Sequence, residues 1–394
     1  MNSPMVTPVT AAFVRRPATW YGYFLIATQI YLFNVQGNVI PFLQSEFTLS
    51  YRVVGLHSSA IALGVIVMGL FGNRVSRPLG RRASLWLGAG ALATGALLLC
   101  VSPGAWASIP SCFVMGLGGG LIPSVVPAVM ADLHGEQRRQ AFAEQAIFAY
   151  TFAIVGPLST GFFVSQGLGW RPAVLIGVIL GFSLIFLFRN IAIPERPPAS
   201  AATTRRLPAP FWAYWCLLAF SCALEFSVLL WAPAFLERVI GLSSAVAATA
   251  AAGFFVGVLV GRIALRVLVQ KLEPRTILFS GFAVGALGFL LYWGVGQPWA
   301  AITGIFMLGL CVAPQYPLTM ALGIGAAKGA SDAASARFAL AFGLAVLIAP
   351  AALGAFADVV GLRLAHLTLP ALMAAALASF IIAGVLSRRA TGPA

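Results

Sequence analysis

Long apolar stretches, each bounded by charged residues or turn residues, recur along the whole chain. A stretch of about 20 apolar residues is long enough to cross the hydrocarbon core of a bilayer as an α-helix. Strands of a membrane barrel would be about 10 residues long and would alternate in polarity. The pattern therefore predicts an all-α membrane protein with twelve transmembrane helices. The predicted spans are residues 20–43, 52–73, 83–103, 106–131, 141–164, 172–189, 211–236, 243–265, 275–295, 299–326, 334–357 and 365–387.

One long polar connection interrupts this series. Residues 190–210 contain repeated prolines, which remove backbone donors, break helices and suit a linker. The connection divides the chain into an N-terminal half of six predicted spans, residues 1–189, and a C-terminal half of six, residues 211–394. We expect these halves to fold as two similar bundles.

The basic residues are distributed unequally between the two sides of the predicted membrane. The side that holds the N-terminus receives Arg15, Arg16, Arg74, Arg77, Arg81, Arg82, Arg138, Arg139, Arg189, Arg196, Arg205, Arg206, Arg266, Lys271, Arg275, Lys328, Arg388 and Arg389. The opposite side receives only Arg52, Arg171, Arg238 and Arg363. Because cytoplasmic loops carry an excess of Lys and Arg, both termini are predicted to be cytoplasmic. The protein is then a multi-pass protein of a bacterial inner membrane.

Composition agrees with burial in lipid. Hydrophobic residues make up 60% of the 394 residues and charged residues only 9%, whereas soluble domains carry about 25% charged residues. The net charge of +14 comes from short clusters between apolar stretches. Without a basic face or a stacking motif, these clusters do not indicate a nucleic-acid partner. The bilayer and a small-molecule substrate are the expected partners, and a monomer is the expected state.

The two halves repeat one another. Within residues 72–82 a glycine is followed by basic residues five and ten positions later, and residues 261–271 repeat this order with Arg266 in the middle. A proline and a glycine four residues later precede an arginine in residues 157–171, and the same order recurs in 350–363. These matches follow each other at a nearly constant offset, which indicates a duplication.

Gly72, Arg77, Gly80, Arg81 and Arg82 resemble the Gly-xxx-Asp-Arg-x-Gly-Arg-Arg loop between helices 2 and 3 of the major facilitator superfamily (MFS). The resemblance extends over nearly the full chain, because that family also has two six-helix halves joined by a long cytoplasmic loop.

Further residues carry this resemblance, and some depart from it. Gly156, Pro157 and Gly161 resemble the Gly-Pro motif of helix 5, which is common among exporters. Ser76 stands where the family has an acid, and Cys112 stands at the place of its usual helix 4 arginine. The resemblance implies a midplane cavity, lined by helices 1, 4, 7 and 10, that opens alternately to either side. The loop and motif residues would then act in gating.

Glu225 is the only acidic residue predicted deep in a span. It lies about 14 residues from the start of span 7, which is about 21 Å at 1.5 Å per residue. An ionised carboxylate there costs about 2.5–3.5 kcal/mol on insertion scales, and a low dielectric favours its protonated form. We predict that Glu225 couples transport to protons or binds a cation. The alternative is a protonated glutamate that forms a hydrogen bond between helices.

Other polar residues lie on the helices expected to line the cavity. On span 1, Asn34 and Asn38 share a face with Tyr31, while Gln29 and Gln36 lie on another face, and we favour the asparagine face. The predicted substrate-binding set also includes aromatic walls, with Phe226 as a further candidate. The set is Tyr31, Asn34, Asn38, Ser221, Trp231, Gln315, Tyr316 and Thr319. Each of these could instead connect helices by hydrogen bonds.

Arg262 and Arg337 are basic residues that also fall within predicted spans. Both lie nearer the cytoplasmic ends, where gating contacts or snorkelling are expected, and Arg266 follows in the repeated loop. No cation is therefore predicted at the midplane, which disfavours an anionic substrate because a buried anion must be paired. The three histidines have no metal-ligand spacing, and no cofactor is expected.

The sequence thus favours an MFS secondary transporter driven by the proton gradient. It would move a small neutral or cationic organic solute, and the helix 5 motif favours efflux by proton antiport. The alternative is a symporter that imports a sugar-like metabolite. A non-transporting sensor is less favoured, because the sequence offers no long soluble domain that could relay a signal. An enzyme is also disfavoured, because no phosphate-binding loop or nucleophile motif is present.

Overall fold

The computed structural model describes residues 13–194, 207–327 and 331–391, which form α-helices with no strand. Along these residues, helix follows helix with short turns between them. The helices are α1 Pro17–Glu46, α2 Tyr51–Cys100, α3 Ala105–His134, α4 Arg138–Ser165, α5 Arg171–Leu187, α6 Ala209–Arg238, α7 Ser244–Ala250, α8 Ala252–Lys271, α9 Pro274–Gly294, α10 Pro298–Val312, α11 Gln315–Ala326, α12 Ser331–Val360, α13 Leu362–Ala365 and α14 Thr368–Thr391. A short 3-10 helix, Gly135–Gln137, joins α3 to α4.

These helices make twelve membrane crossings, which confirms the predicted fold class. The long helix α2 contains two crossings, because Gly80 (φ 74°, ψ 165°) leaves the helical region and turns the chain back. Three pairs of shorter helices, α7 with α8, α10 with α11 and α13 with α14, form one crossing each. Ten crossings in the described chain are long and apolar enough to span a membrane by length and composition. The other two are α5, which is apolar but shorter, and α1, whose central turns carry several amide side chains.

An even number of antiparallel crossings brings the start of α1 and the end of α14 to one end of the bundle. We call the end where α1 begins and α14 ends the terminal end, and the opposite end the far end. Helix α5 ends and α6 begins at the terminal end, so the connection between the predicted halves starts and finishes there. Residues 195–206 of that connection, with Arg196, Arg205 and Arg206, lie outside the described residues, as does Lys328. The division at 190–210 therefore stays a prediction.

Each half has its own apolar core. Tyr31, Leu92 and Met115 are fully buried in the core formed by α1 to α5. Trp231 and Phe254 are buried in the larger core of α6 to α14. The second core also takes in Ile40, Val54 and Ala153 from the first half, so the two bundles share apolar contacts where they meet.

Glycine sets the closest helix contacts inside each half. A Cβ at Gly64 would lie 2.5 Å from the backbone oxygen of Phe113 and 2.6 Å from the nitrogen of Leu117. A Cβ at Gly304 would lie 2.5 Å from the nitrogen of Tyr292. Small residues let membrane helices approach closely, where van der Waals packing rather than a hydrophobic driving force holds them together.

Candidate solute-binding site

A cavity of about 440 Å³ lies between the two halves of the bundle. On one side α1, α2, α3 and α4 form its wall, and on the other side α6, α8 and α12 do so. Its lining includes Gln29 and Gly37 near the middle of α1, and Glu225 and Leu230 near the middle of α6. The cavity therefore lies at the depth where the sequence predicts a midplane site.

Contacts between the halves close the cavity toward the far end. The Ser59 hydroxyl donates to the backbone oxygen of Leu347 at 2.7 Å. Nearer the far end, an Arg238 guanidinium nitrogen donates to the Tyr51 hydroxyl at 3.1 Å. Toward the terminal end, by contrast, the lining continues as far as Phe142, close to the start of α4. The cavity thus extends toward the terminal end and is sealed on the far side.

Glu225 lines this cavity from α6. Its side chain is half-buried, and it has no hydrogen-bond or ion-pair partner among the residues that the structure describes. The groups that interact with it electrostatically are Arg262 on α8, Tyr150 on α4, Tyr316 on α11 and Cys222 on its own helix. A carboxyl group without a protein partner is free to take a proton or a ligand from the cavity.

Arg262 also lines the cavity, which corrects the expectation that no cation lies there. It lies about two and a half turns before Lys271, the last residue of α8, and its long side chain extends from that depth. The guanidinium carbon lies 4.5 Å from the centre of the Tyr150 ring in the other half. The Arg262 Nε is buried and has no hydrogen-bond partner in the described part of the chain. The sequence argument against an anionic substrate therefore loses its premise.

Amide side chains on several faces of α1 line the cavity, and not only those on the predicted asparagine face. Asn34 lines the cavity, but so do Gln29 and Gln36, while Asn38 lies outside the lining. The Asn38 side chain donates to the backbone oxygen of Asn34 at 3.0 Å and stays within the helix. The carbonyl of Gln29 and the amide nitrogen of Gln36 are buried without partners among the described residues. Both amides therefore offer unused hydrogen-bonding groups beside the cavity.

Aromatic rings form much of the remaining lining. The rings are Phe33, Phe142, Tyr150, Phe226, Phe255 and Phe342. Phe226 and Phe342 meet edge to face, with ring centres 5.3 Å apart. Apart from Phe226, the sequence did not single out these rings as cavity residues, because aromatic residues also face lipid at many other positions. Gln145 and Ser58 were missed as well, although a polar residue within an apolar span was the available signal.

Two predicted aromatic wall residues lie outside the lining. The hydroxyl of Tyr31 donates to the backbone oxygen of Ala173 at 2.7 Å and lies 2.9 Å from the Ser159 hydroxyl, so the ring packs against α4 and α5. The indole nitrogen of Trp231 donates to the backbone oxygen of Pro350 at 2.9 Å. Both side chains are fully buried in the core of their own half.

The remaining predicted substrate residues lie in the second half, outside the cavity lining. Ser221, Gln315 and Thr319 are buried on α6 and α11, which pack together, and Gln315 donates to the Cys311 sulfur at 3.1 Å. The hydroxyls of Ser221 and Thr319 have no partner among the described residues. Tyr316 is partly exposed and interacts electrostatically with Glu225 and Arg262.

The predicted gating loop lies at the terminal end of the first half. Arg77, Gly80, Arg81 and Arg82 line a second cavity of about 680 Å³ there, and Gly72 packs beside Ser124. Further contacts hold the basic residues in place. Arg81 donates to Asp132 at 2.7 Å and to the backbone oxygen of Pro194 at 2.9 Å, and the Arg82 guanidinium lies over the Trp86 ring at 4.6 Å.

The residues that resemble the helix 5 motif lie on α4, which is the fifth membrane crossing, and they contact both halves. Gly156 packs against Val35 of α1, and Pro157 beside it is buried. Gly161 lies against Ala245 and Thr249 of α7, in the other half.

The other two predicted gating residues are exposed. Arg266 lies on α8 and Arg337 on α12, where the Arg337 backbone oxygen accepts a 2.8 Å hydrogen bond from the Trp215 indole. Neither side chain lines the cavity between the halves.

Comparison with known proteins agrees with the predicted family. The sequence profile of the Major Facilitator Superfamily matches residues 19–322. The chain is 28% identical over 179 residues to a citrinin biosynthesis cluster MFS transporter of Monascus ruber, covering 43% of this chain and 35% of that protein. It is 26% identical over 195 residues to the galactose-proton symporter of Escherichia coli K12, covering 48% and 42%. The alignments thus span less than half the length of these relatives.

A solved structure of a D-xylose-proton symporter has the same fold. It superposes with a TM-score of 0.73 at 17% identity, over 92% of this chain and 95% of that one.

Proposed function

The chain belongs to the Major Facilitator Superfamily, and from this premise we propose that it is a secondary active transporter coupled to protons through Glu225. Members of this family are multi-pass membrane transporters that bind small molecules within the membrane. The observation that carries the proposal is the Glu225 carboxyl group, which faces the cavity between the halves and has no partner in the part of the chain that the structure describes. The cavity would expose this group to one side of the membrane and then to the other.

A carboxyl group in this position is suited to carry a proton. Its charge must be balanced in the low dielectric of the membrane interior, so protonation of Glu225 and movement of the halves are linked. The hydrogen bond between helices that the sequence left as an alternative has no counterpart among the described contacts of Glu225. Protonation from one side and release to the other would drive solute movement.

Proton symport is the mode of coupling that the names of two similar proteins favour. The galactose-proton symporter of Escherichia coli and the solved D-xylose-proton symporter are both symporters by name. Proton antiport of a neutral or cationic solute is the second candidate. The Gly156-Pro157 motif favours it, and a bare Glu225 carboxylate suits alternate binding of a proton and a cation.

The remaining parts of the proposal follow from charge and composition. The terminal end carries most of the basic residues, so we assign it to the cytoplasm of a bacterial cell and the protein to the inner membrane. With the far side sealed, the structure then corresponds to an inward-facing state. The transporter would act as a monomer, with the proton gradient in place of a cofactor, and without a nucleic-acid partner.

The test is transport in liposomes that contain the purified protein. We expect an imposed pH gradient to drive solute accumulation by the native protein and to have no effect on Glu225→Gln. Glu273→Gln, at an exposed position before α9, is the matched control and should behave as the native protein does. If Glu225→Gln kept its full dependence on the pH gradient, the assignment of the proton to Glu225 would be wrong.

A further inference from the structure

Two opposite charges line the cavity, and neither forms an ion pair within 4 Å in the described part of the chain. Glu225 and Arg262 are the only charged residues among the described residues of the lining. No ion pair within 4 Å joins them to each other or to another described residue. The buried Nε of Arg262 has no hydrogen-bond partner in the described chain, and the guanidinium rests on the Tyr150 ring. Unpaired charges in a low dielectric are costly, so each is expected to receive a partner during transport.

We infer that the solute is a small organic acid whose carboxylate binds Arg262 while the co-transported proton binds Glu225. This inference rests on the proposed function and names the substrate class of the same cavity. Guanidinium binds carboxylate through two parallel N–H bonds, which gives a strong and directional contact. The Nε–H of Arg262 is buried and has no partner among the described residues, and it would become one of these two donors when the guanidinium turns toward the solute.

The balance of charge supports an acid rather than a cation. The empty cavity, with an ionised Glu225 and Arg262, has no net charge. The cavity loaded with a carboxylate and a proton also has none, because the proton neutralises Glu225 and the carboxylate neutralises Arg262. Loading with only one of the two leaves a net charge in the membrane interior, which is unfavourable. The halves would therefore move freely when the cavity is empty or doubly loaded, and this is the rule that couples an acid to a proton.

A cationic solute does not fit this balance. If it replaced the proton at Glu225, Arg262 would remain uncompensated in both loaded states. A net positive charge would then cross the membrane interior at each step. The unpaired guanidinium thus argues against the cation antiport that the sequence suggested.

The walls indicate the chemistry of the rest of the solute. Phe226, Phe342 and Phe33 line the cavity together with the ring of Tyr150. Such a lining favours an aromatic or apolar body, since small-molecule sites are mostly apolar with a few convergent polar groups. A volume of about 440 Å³ accommodates a single ring with substituents. When these side chains turn toward such a substituent, the unpartnered carbonyl oxygen of Gln29 would accept a hydrogen bond and the unpartnered amide nitrogen of Gln36 would donate one.

Three probes with the same ring and different charge test the inference. Benzoate is an anion at pH 7, benzamide is neutral and benzylammonium is a cation. We would measure the shift in unfolding temperature of the purified full-length protein in detergent with each probe. We expect benzoate to stabilise the protein, benzamide to act weakly and benzylammonium to have no effect. Arg262→Gln should weaken benzoate binding by about tenfold or more, since it removes a charged donor. Arg262→Lys, which keeps the charge but not the planar donor pair, should restore part of it.

Proton uptake separates this inference from the proposed function. In weakly buffered solution, benzoate binding should take up about one proton per ligand by linkage, and Glu225→Gln should abolish the uptake. Benzoate binding without proton uptake would overturn coupling at Glu225 and leave the Arg262 site standing. The inference itself is overturned if benzylammonium or benzamide stabilises as well as benzoate does, if Arg262→Gln binds benzoate unchanged, or if no probe stabilises. In those cases, loss of pH-gradient dependence in Glu225→Gln would still support the proposed function.

Discussion

The carboxylate of Asp358, near the end of α12, accepts a 2.7 Å hydrogen bond from the backbone nitrogen of Tyr51, the first residue of α2. Its second oxygen accepts from the backbone nitrogen of Arg52 at 2.8 Å. A residue of one half therefore caps a helix of the other half, where backbone donors are unsatisfied and the helix dipole is positive. When the far end opens, these donors must find water instead, so Asp358 stabilises the closed far end.

Replacing this carboxylate should favour the open far end. In Asp358→Asn, the charge is lost and only one acceptor oxygen remains, at a cost of about 1 kcal/mol to the closed state. We expect longer distances between spin labels at Ser45 and Leu364, measured by pulsed electron resonance in detergent. Glu273→Gln is the control and should leave the distances unchanged. Identical distance distributions in Asp358→Asn and the native protein would contradict a latch at this position.

Neutralising Glu225 should leave the exchange of solute across the membrane intact but abolish solute accumulation driven by a pH gradient. In Glu225→Gln, the cavity stays in a state that resembles protonated glutamate, so the loaded carrier still moves but cannot release its proton. We expect solute counterflow between equal pH values to remain within about twofold of the native rate, while accumulation driven by a pH gradient is lost. The measurement is uptake of labelled solute into preloaded and empty liposomes. Loss of both activities would indicate that Glu225 holds the solute or the structure rather than the proton.

The contact between α2 and α3 at Gly64 leaves no room for an added methyl group. Its Cβ would meet the backbone of α3, which cannot move aside as a side chain can. We expect Gly64→Ala to lower the free energy of unfolding by about 1–3 kcal/mol. Gly69, on the same crossing, is exposed and has nothing within 4 Å of its Cβ position, so Gly69→Ala is the matched control. Thermal unfolding in detergent measures both, and equal stability of the two variants would show that the contact is looser than described.

The fold was predictable because membrane helices leave a strong pattern. Each span must satisfy its own backbone in lipid, so its length and its apolar run are readable from the sequence alone. The turn between the second and third crossings was readable for a related reason, since Gly80 turns the chain there and basic residues accumulate around it, while its role in gating stays a prediction. The sequence also isolated Glu225, because an acid within an apolar span is rare.

The walls of the cavity were less predictable, because sequence spacing does not say which helix face meets the other half. Asn34 and Asn38 share a face, yet only Asn34 reaches the cavity, while Gln29 and Gln36 reach it from neighbouring faces. The depth of Arg262 was misjudged for a similar reason. Its distance from the end of α8 depends on where that helix ends, and its side chain is long enough to reach the cavity.

Two aromatic residues of α6 should respond differently to substitution. Phe226 lines the cavity, so Phe226→Ala should weaken solute binding by about tenfold through loss of apolar contact. Trp231 lies outside the lining and donates to the backbone oxygen of Pro350, so Trp231→Phe leaves that oxygen without its donor and should cost about 1 kcal/mol of stability. Its solute affinity should stay within about twofold of the native value, because the cavity wall is unchanged. Ligand-dependent and ligand-free thermal unfolding separate the two effects. A loss of affinity in Trp231→Phe as large as that in Phe226→Ala would restore Trp231 as a residue of the site.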